Sequence, residues 1–281
     1  MIMAKAMLID LTRCIGCRAC QAACKQWNDL PAEQTRNNGS YENPPRRSAK
    51  TWTTVTFHEI TQPPSEAGEE EGFAWVFAKR QCMHCEHPAC ASACIVGALH
   101  KTPDGPVLYD DKKCMGCRYC MIACPYGVPT FEWHKAVPYI RKCTMCADRI
   151  ALGMEPACAK ACPTDAIQFG EREALIVEGR KRIKASPAKY VDHIYGEKEA
   201  GGADMLYLSS VPFNELGFPE LGEERLDRYA GLAMLAVPPA IVGVTALMAG
   251  TYWIIKRREQ MMAQAAAEGP EAVESPEEEV A

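Results

Sequence analysis

Sixteen cysteines stand in four groups of four: Cys14, Cys17, Cys20 and Cys24; Cys82, Cys85, Cys90 and Cys94; Cys114, Cys117, Cys120 and Cys124; Cys143, Cys146, Cys158 and Cys162. Disulfides, zinc and iron–sulfur chemistry all use cysteine at this density. Dense disulfide frameworks belong mainly to small secreted domains, and this chain has 281 residues. The first cysteine also comes before the apolar region of a cleavable signal peptide could fit, so none is expected.

The spacing decides between the two metals. Group three reads C-x2-C-x2-C-x3-C-P, the run of bacterial ferredoxins, and group one has the same spacing with Lys25 in place of the proline. Three thiolates within seven residues let one tight loop wrap three corners of an iron–sulfur cubane. The fourth cysteine starts another backbone direction and serves the neighbouring cluster. Gly16 and Gly116 give the loops room to pass close to a cluster, and Pro125 and Pro163 turn the chain away afterwards. Group two, C-x2-C-x4-C-x3-C, and group four, C-x2-C-x11-C-x3-C-P, keep the three-plus-one logic with longer middles. Zinc also uses C-x2-C knuckles, but the x2-x2-x3 run is hard to close around one tetrahedral ion. With all sixteen positions filled, the expected cofactors are four 4Fe–4S clusters.

No catalytic constellation accompanies them. The six histidines are scattered, and neither a G-x-G-x-x-G fingerprint nor a phosphate-binding G-x-x-x-x-G-K is present. His84 and His87 lie inside group two, where they would tune a cluster by hydrogen bonding to sulfur or serve as ordinary loop residues. Trp27 and Trp133 lie near cluster loops and are expected to pack against them.

The elements that must position the cysteines are short. Between groups one and two, Thr51 to Phe57 reads as a strand rich in β-branched and aromatic residues, Gln62 to Gly72 as a loop, and Phe73 to Ala78 as a second strand, together a long-tipped β-hairpin. Val107–Tyr109 reads as a short strand. After group four, Glu171 to Lys184 reads as a surface helix, Met205 to Leu208 as a short strand, and Glu215 to Arg228 as a charged approach to the next feature.

That feature is Tyr229 to Ile255, 27 residues without a charge. As a helix it reaches about 40 Å, against a hydrocarbon core of about 30 Å, so a transmembrane helix is expected, kinked at Pro238 and Pro239. Lys256, Arg257 and Arg258 follow it, and Arg225 and Arg228 precede it. Positive-inside counting therefore predicts a cytoplasmic C-terminus and a cysteine domain on the outer face of the membrane. Net charge is −5, and residues 261–281 carry six Glu and no Lys or Arg. The body is thus close to neutral, which argues against nucleic-acid binding, and residues 256–281 read as an acidic disordered tail.

Taken together, these residues resemble the four-cluster ferredoxin-like subunits of membrane-bound respiratory oxidoreductases, from about Lys5 to Ile255. Leu8-Ile9-Asp10, Cys14-Ile15-Gly16-Cys17, Trp27-Asn28-Asp29, Cys143-Thr144-Met145-Cys146 and Glu155-Pro156-Ala157-Cys158 are similar to the β subunit of formate dehydrogenase. Gln81-Cys82-Met83-His84-Cys85, Gly116-Cys117-Arg118-Tyr119-Cys120 and Tyr195-Gly196-Glu197-Lys198-Glu199 are similar to the ferredoxin-like subunit of nickel–iron hydrogenase. The resemblance implies an α+β fold: tandem ferredoxin-like domains of two clusters each, a hairpin insertion and one C-terminal transmembrane helix. The domains would be 1–30 with 140–170, then 31–80 as the insertion, 81–139, a connector over 171–228, the span 229–255 and the tail 256–281.

It also implies interleaved ligand sets. Cys14, Cys17, Cys20 and Cys162 would hold cluster A; Cys24, Cys143, Cys146 and Cys158 cluster B; Cys82, Cys85, Cys90 and Cys124 cluster C; Cys94, Cys114, Cys117 and Cys120 cluster D. The family usually has proline after the last cysteine of group two, where this chain has Ile95. The implied role is electron transfer without a catalytic centre. Electrons would arrive from a molybdenum or tungsten bis-pterin subunit, or from nickel–iron hydrogenase subunits, and leave to a membrane cytochrome b or quinone-reactive subunit. A free-standing membrane-anchored ferredoxin is the alternative from another class.

Overall fold

A computed structural model describes residues 4–37, 39–62 and 72–267. In chain order the elements are β1 (Lys5–Asp10), α1 (Ala19–Trp27), β2 (Thr54–Gln62), β3 (Gly72–Arg80), α2 (Ala89–Ser92), β4 (Leu99–Lys101), β5 (Val107–Tyr109) and α3 (Tyr119–Ala123). There follow β6 (Thr130–Phe131), β7 (Ile140–Arg141), α4 (Ala147–Ala151), α5 (Ala157–Lys160), β8 (Ile167–Glu171), α6 (Arg172–Ala185), β9 (Met205–Leu208) and α7 (Asp227–Ala267). Residues up to Gly231 form one compact unit, and Leu232 onward forms a second.

The core of the first unit is a three-stranded sheet in the order β8-β1-β9, with β1 antiparallel to β8 and parallel to β9. Central β1 is covered on both faces, which suits its unbroken apolar run Ala6–Ile9. Alternation then sorts the side chains. Ala6, Leu8, Leu206 and Leu208 meet Leu175, Ile176 and Ile183 of α6. Met7, Ile9, Met205 and Tyr207 face the layer that contains Cys20 and Cys158. The expected surface helix is therefore half core, and the expected connector supplies β9 together with the buried Phe213, Leu216 and Phe218.

β2 and β3 pair antiparallel in register from Thr54↔Arg80 to Gln62↔Gly72. Both strands run further toward the tip than the sequence reading set them, because the cross-strand ladder continues past Phe57 through polar residues. The expected tip, 63–71, lies outside the described residues. α7 is 41 residues long with a mean hydropathy of 2.1 in its most apolar window, long and apolar enough to cross a membrane. It runs unbroken through Pro238 and Pro239 and on to Ala267. This corrects the reading of 256–281 as tail from its first residue. Met261, Met262, Gln264 and the alanines are strong helix formers, and they extend the helix; 268–281 lie outside the described residues.

Asp10 ends β1 fully buried. Its Oδ1 accepts the Thr12 N–H at 3.1 Å, and its Oδ2 accepts from Arg182 Nη1 at 3.1 Å and from the Tyr190 hydroxyl at 2.9 Å. Asp10→Ala is expected to lower the unfolding free energy of the detergent-solubilised chain by about 2 kcal/mol, since it removes the acceptor of the Thr12 N–H, the Tyr190 hydroxyl and one Arg182 nitrogen, while Arg182 keeps Glu178 and Gln168. Denaturant titration would read this, and a loss well under ~1 kcal/mol would mean that water replaces the carboxylate.

Candidate metal centres

The cluster loops are built from two repeated devices. Asp10-Leu11-Thr12-Arg13-Cys14-Ile15-Gly16-Cys17-Arg18 and Asp110-Asp111-Lys112-Lys113-Cys114-Met115-Gly116-Cys117-Arg118 stand in parallel. Each opening aspartate accepts the N–H two residues on, Thr12 or Lys112, and starts a single 3-10 turn. Gly16 and Gly116 take left-handed φ of 68° and 74°, and Arg18 and Arg118 take 60° and 64°. Left-handed arginine is strained by about 1–3 kcal/mol and persists only where its surroundings enforce it. The third cysteine, Cys20 or Cys120, then falls in the first turn of α1 or α3.

The second device is Pro88-Ala89-Cys90-Ala91-Ser92-Ala93-Cys94, repeated as Pro156-Ala157-Cys158-Ala159-Lys160-Ala161-Cys162. The proline precedes a one-turn helix, α2 or α5, that carries a cysteine. α1 packs on α5 and α2 on α3, so group one meets group four and group two meets group three.

A different hairpin braces each copy of the first device. A Cβ at Gly16 would lie 2.9 Å from the Phe77 ring of β3, and Arg18 sits 4.7 Å from the Phe57 ring centroid. Phe57 and Phe77 are direct cross-strand partners with an edge-to-face contact at 5.1 Å. In the other half, Phe131 approaches Gly116, and Arg118 lies over Phe131 and Trp133 at 5.6 and 5.0 Å.

The thiols converge across groups. Cys14, Cys17, Cys20 and Cys162 line one small apolar cavity together with Ile9, Val55 and Lys79. Cys24, Cys143, Cys146 and Cys158 line another with Met7, Trp52 and Met145. Cys85 lies within charge–charge reach of Cys82, Cys124 and Cys90, and Cys120 within reach of Cys94, Cys117 and Cys114. Three further proximities link the gatherings: Cys20 with Cys158, Cys143 with Cys82, and Cys90 with Cys120. None of the sixteen cysteines is in a disulfide. Among the described residues no three His, Cys, Asp or Glu side chains gather tightly enough to hold a single ion. Zinc needs its thiolates at about 2.3 Å, whereas a cubane spreads them over four corners, and that wider arrangement fits.

Burial dominates the electrostatics. It pushes the Cys20, Cys90 and Cys120 thiols up to about 12 and Cys146 to about 11, with neighbouring cysteines adding to the rise. Cys85 and Cys143 are raised further for the same reasons. Such thiols become thiolates only where bound metal compensates the charge. Backbone N–H groups already point at sulfur: Ala98 to Cys94 at 3.2 Å, Met145 to Cys143 at 3.3 Å and Gly116 to Cys114 at 3.4 Å. Bonds of this kind help to set cluster potentials.

Comparison with known proteins agrees with this chemistry. The 4Fe-4S dicluster domain matches twice, over residues 13–98 and 73–172. A protein of Nitratidesulfovibrio vulgaris is 45% identical over 93% of this chain and 70% of its own length. The iron-sulfur subunit of the nitrate-inducible formate dehydrogenase of Escherichia coli K12 is 37% identical over 87% of this chain and 82% of its own. The hydrogenase-2 operon protein HybA of Escherichia coli O157:H7 is 37% identical over 77% of this chain and 73% of its own. The chain belongs to the ferredoxin-like iron–sulfur subunits of membrane-bound respiratory oxidoreductases. As such it is an electron-transfer subunit, not a catalytic one.

The remaining expectations for this iron–sulfur subunit divide. His84 is fully buried, and its Nδ1 accepts the Val107 N–H at 2.9 Å, which leaves the proton on Nε2. Burial, with Lys142, Lys101 and Lys79 nearby, holds its pKa well below the ordinary histidine value, so the ring is neutral. His87 is half-buried. Trp27 donates to Asp148 Oδ2 at 2.8 Å beneath Arg149, and Trp133 is 66% exposed. The turn at Ile95 closes without a proline, the Cys94 carbonyl accepting the Gly97 N–H at 3.1 Å. Sequence reasoning missed two buried lysines beside the thiols. Lys142 donates to the Val107 and Cys143 carbonyls. Lys79 has no hydrogen-bond partner among the described residues.

Proposed function

We propose that this subunit holds four 4Fe–4S clusters in the order A, B, C, D. They would carry electrons from a molybdenum or tungsten bis-pterin formate dehydrogenase subunit to a membrane cytochrome b or quinone-reactive subunit. The observation that carries the proposal is the convergence of sixteen thiols from different groups into four sets. Cys14, Cys17, Cys20 and Cys162 serve A; Cys24, Cys143, Cys146 and Cys158 serve B; Cys82, Cys85, Cys90 and Cys124 serve C; Cys94, Cys114, Cys117 and Cys120 serve D. Cys20–Cys158, Cys143–Cys82 and Cys90–Cys120 form the seams between successive sets. The clusters supply one-electron carriers; the chain fixes their spacing, keeps water away and supplies charge and hydrogen bonds.

A short contact supports an assignment of the exit end. Ser92 of α2, between Cys90 and Cys94, donates to the Asp227 carbonyl at 2.8 Å, at the first residue of α7. The contact lies within the first compact unit, and it supports an exit at the C and D pair. Residues 229–255 would cross the inner membrane once, with a periplasmic cluster domain and a cytoplasmic C-terminus, as the flanking charges favour.

Formate is favoured as donor because the formate dehydrogenase relative is matched over more of its own length than HybA. Purification from solubilised membranes tests this. A bis-pterin subunit should accompany the chain, formate should reduce its clusters, and about sixteen iron and sixteen sulfide should be found per chain, four per cubane. A nickel–iron subunit with hydrogen-driven reduction would replace the formate reading with the hydrogenase one. A monomer with no partner would leave a free-standing ferredoxin, and a zinc-rich, iron-poor chain would end the cluster reading.

A further inference from the structure

We propose that Lys79 places a fixed positive charge between clusters A and B and raises the reduction potentials of both; this rests on the ligand sets proposed above. Lys79 lies on β3 and is 1% exposed. Side chains two apart on a strand share a face, so Lys79 projects on the side from which Phe77 reaches Gly16. Its Nζ makes no hydrogen bond among the described residues. It shares the cavity lined by Cys14, Cys17, Cys20 and Cys162.

It also faces the second set. Cys20, Cys158 and Cys143 lie within charge–charge reach of the ammonium, and Cys14 and Cys24 feel it in turn. Five cysteines from two ligand sets thus surround one lysine. The Tyr207 hydroxyl, also buried and without a hydrogen-bond partner among the described residues, lies near it too.

An ammonium removed from water without a partner is costly. Here the side chain lines the cavity of Cys14, Cys17, Cys20 and Cys162, and its Nζ has no hydrogen-bond partner among the described residues. The partner of Lys79 is therefore the thiolates themselves. A cubane bound by four thiolates is net negative and gains one more negative charge on taking up an electron. A nearby cation stabilises the reduced form more than the oxidised form, which raises the potential. Lys142 has two carbonyl acceptors and Lys101 has Asp204; neither is left to the clusters as Lys79 is.

The test is an EPR-monitored redox titration of the purified holoprotein with Lys79→Met, Lys79→Gln and Lys79→Arg. Wild-type iron and sulfide content is measured first, and its failure would count against the cluster reading, not against this inference. With clusters present, Met and Gln are expected to weaken electron uptake at least tenfold at two of the four centres, about 59 mV per electron. The other two centres should stay unchanged, and Arg should retain the wild-type values. If Met and Gln fail to assemble clusters A and B while Arg assembles them, the charge is needed as counter-ion, which also supports the inference. Unchanged potentials in an assembled Met or Gln variant would overturn it, as would an Arg variant that fails to assemble like the neutral ones.

Discussion

Cys24→Ala is expected to remove the centre shared with Cys143, Cys146 and Cys158 while the centre of Cys14, Cys17 and Cys20 survives. Cys24 follows Cys20 by only four residues on α1, yet the two thiols line different cavities. Iron content should fall by about four atoms, one cubane, with one reduced EPR signal lost. Cys162→Ala should remove a different signal, because Cys162 lies with Cys14 and not with Cys158. Combining Cys24→Ala with Cys158→Ala should cost no more iron than either alone. If Cys24→Ala and Cys14→Ala erased the same signal, each sequence group would hold its own cluster and the interleaving would be wrong.

Gly196→Ala should be the most damaging single change to folding outside the cysteines. Gly196 has φ of 95°, where a side chain is strained, and a Cβ there would lie 2.1 Å from the Met205 carbonyl oxygen. That oxygen belongs to the backbone of β9, so it cannot swing aside as a side-chain end would. The neighbouring bridge makes matters worse. Tyr195 and Tyr207 exchange N–H···O bonds at 3.1 and 2.9 Å, and the Gly196 N–H donates to Glu199 Oε2 at 2.7 Å. Relief of the clash must force the Tyr195–Gly196 segment off the free edge of β9 or press β9 against β1, and either disturbs the wall behind Cys20 and Cys158. A loss of about 4 kcal/mol or more is expected, read as a shifted denaturation midpoint and earlier bleaching of the iron–sulfur absorbance. A midpoint within error of wild type would mean that the 195–207 bridge is dispensable.

The grouping of the cysteines was legible because each ligating run is local: three thiols in one short loop write their spacing directly into the sequence. The paired strands 54–62 and 72–80 were legible in part for a similar reason, since β-branched and aromatic residues favour the pleated surface. Their extents were not, because pairing across the strands, not composition, sets where a ladder stops. Lys79 was invisible. A lysine in a strand normally points to water, and what covers this one comes from Cys20, Cys143 and Cys158, far away in sequence. β9 likewise gained its importance from β1, nearly two hundred residues earlier. The apolar span was plain, but its helical continuation past Ile255 was not, because the strong helix formers Met261 to Ala267 share one segment with the Glu-rich residues 268–281, whose charge dominates its composition.

The two repeated devices have a consequence for the direction of current. A duplicated conductor, with Asp10 to Arg18 mirrored by Asp110 to Arg118 and Pro88 to Cys94 mirrored by Pro156 to Cys162, has no intrinsic polarity; its halves would serve equally well as source or drain. Any difference between the two ends must come from what was not copied. The Phe57–Phe77 brace and the Ser92–Asp227 contact each occur on one side only, and Lys79, unlike the buried Lys142 of the other half, has no carbonyl acceptor among the described residues. Divergence at these few positions makes the two halves of a symmetric duplication chemically distinct.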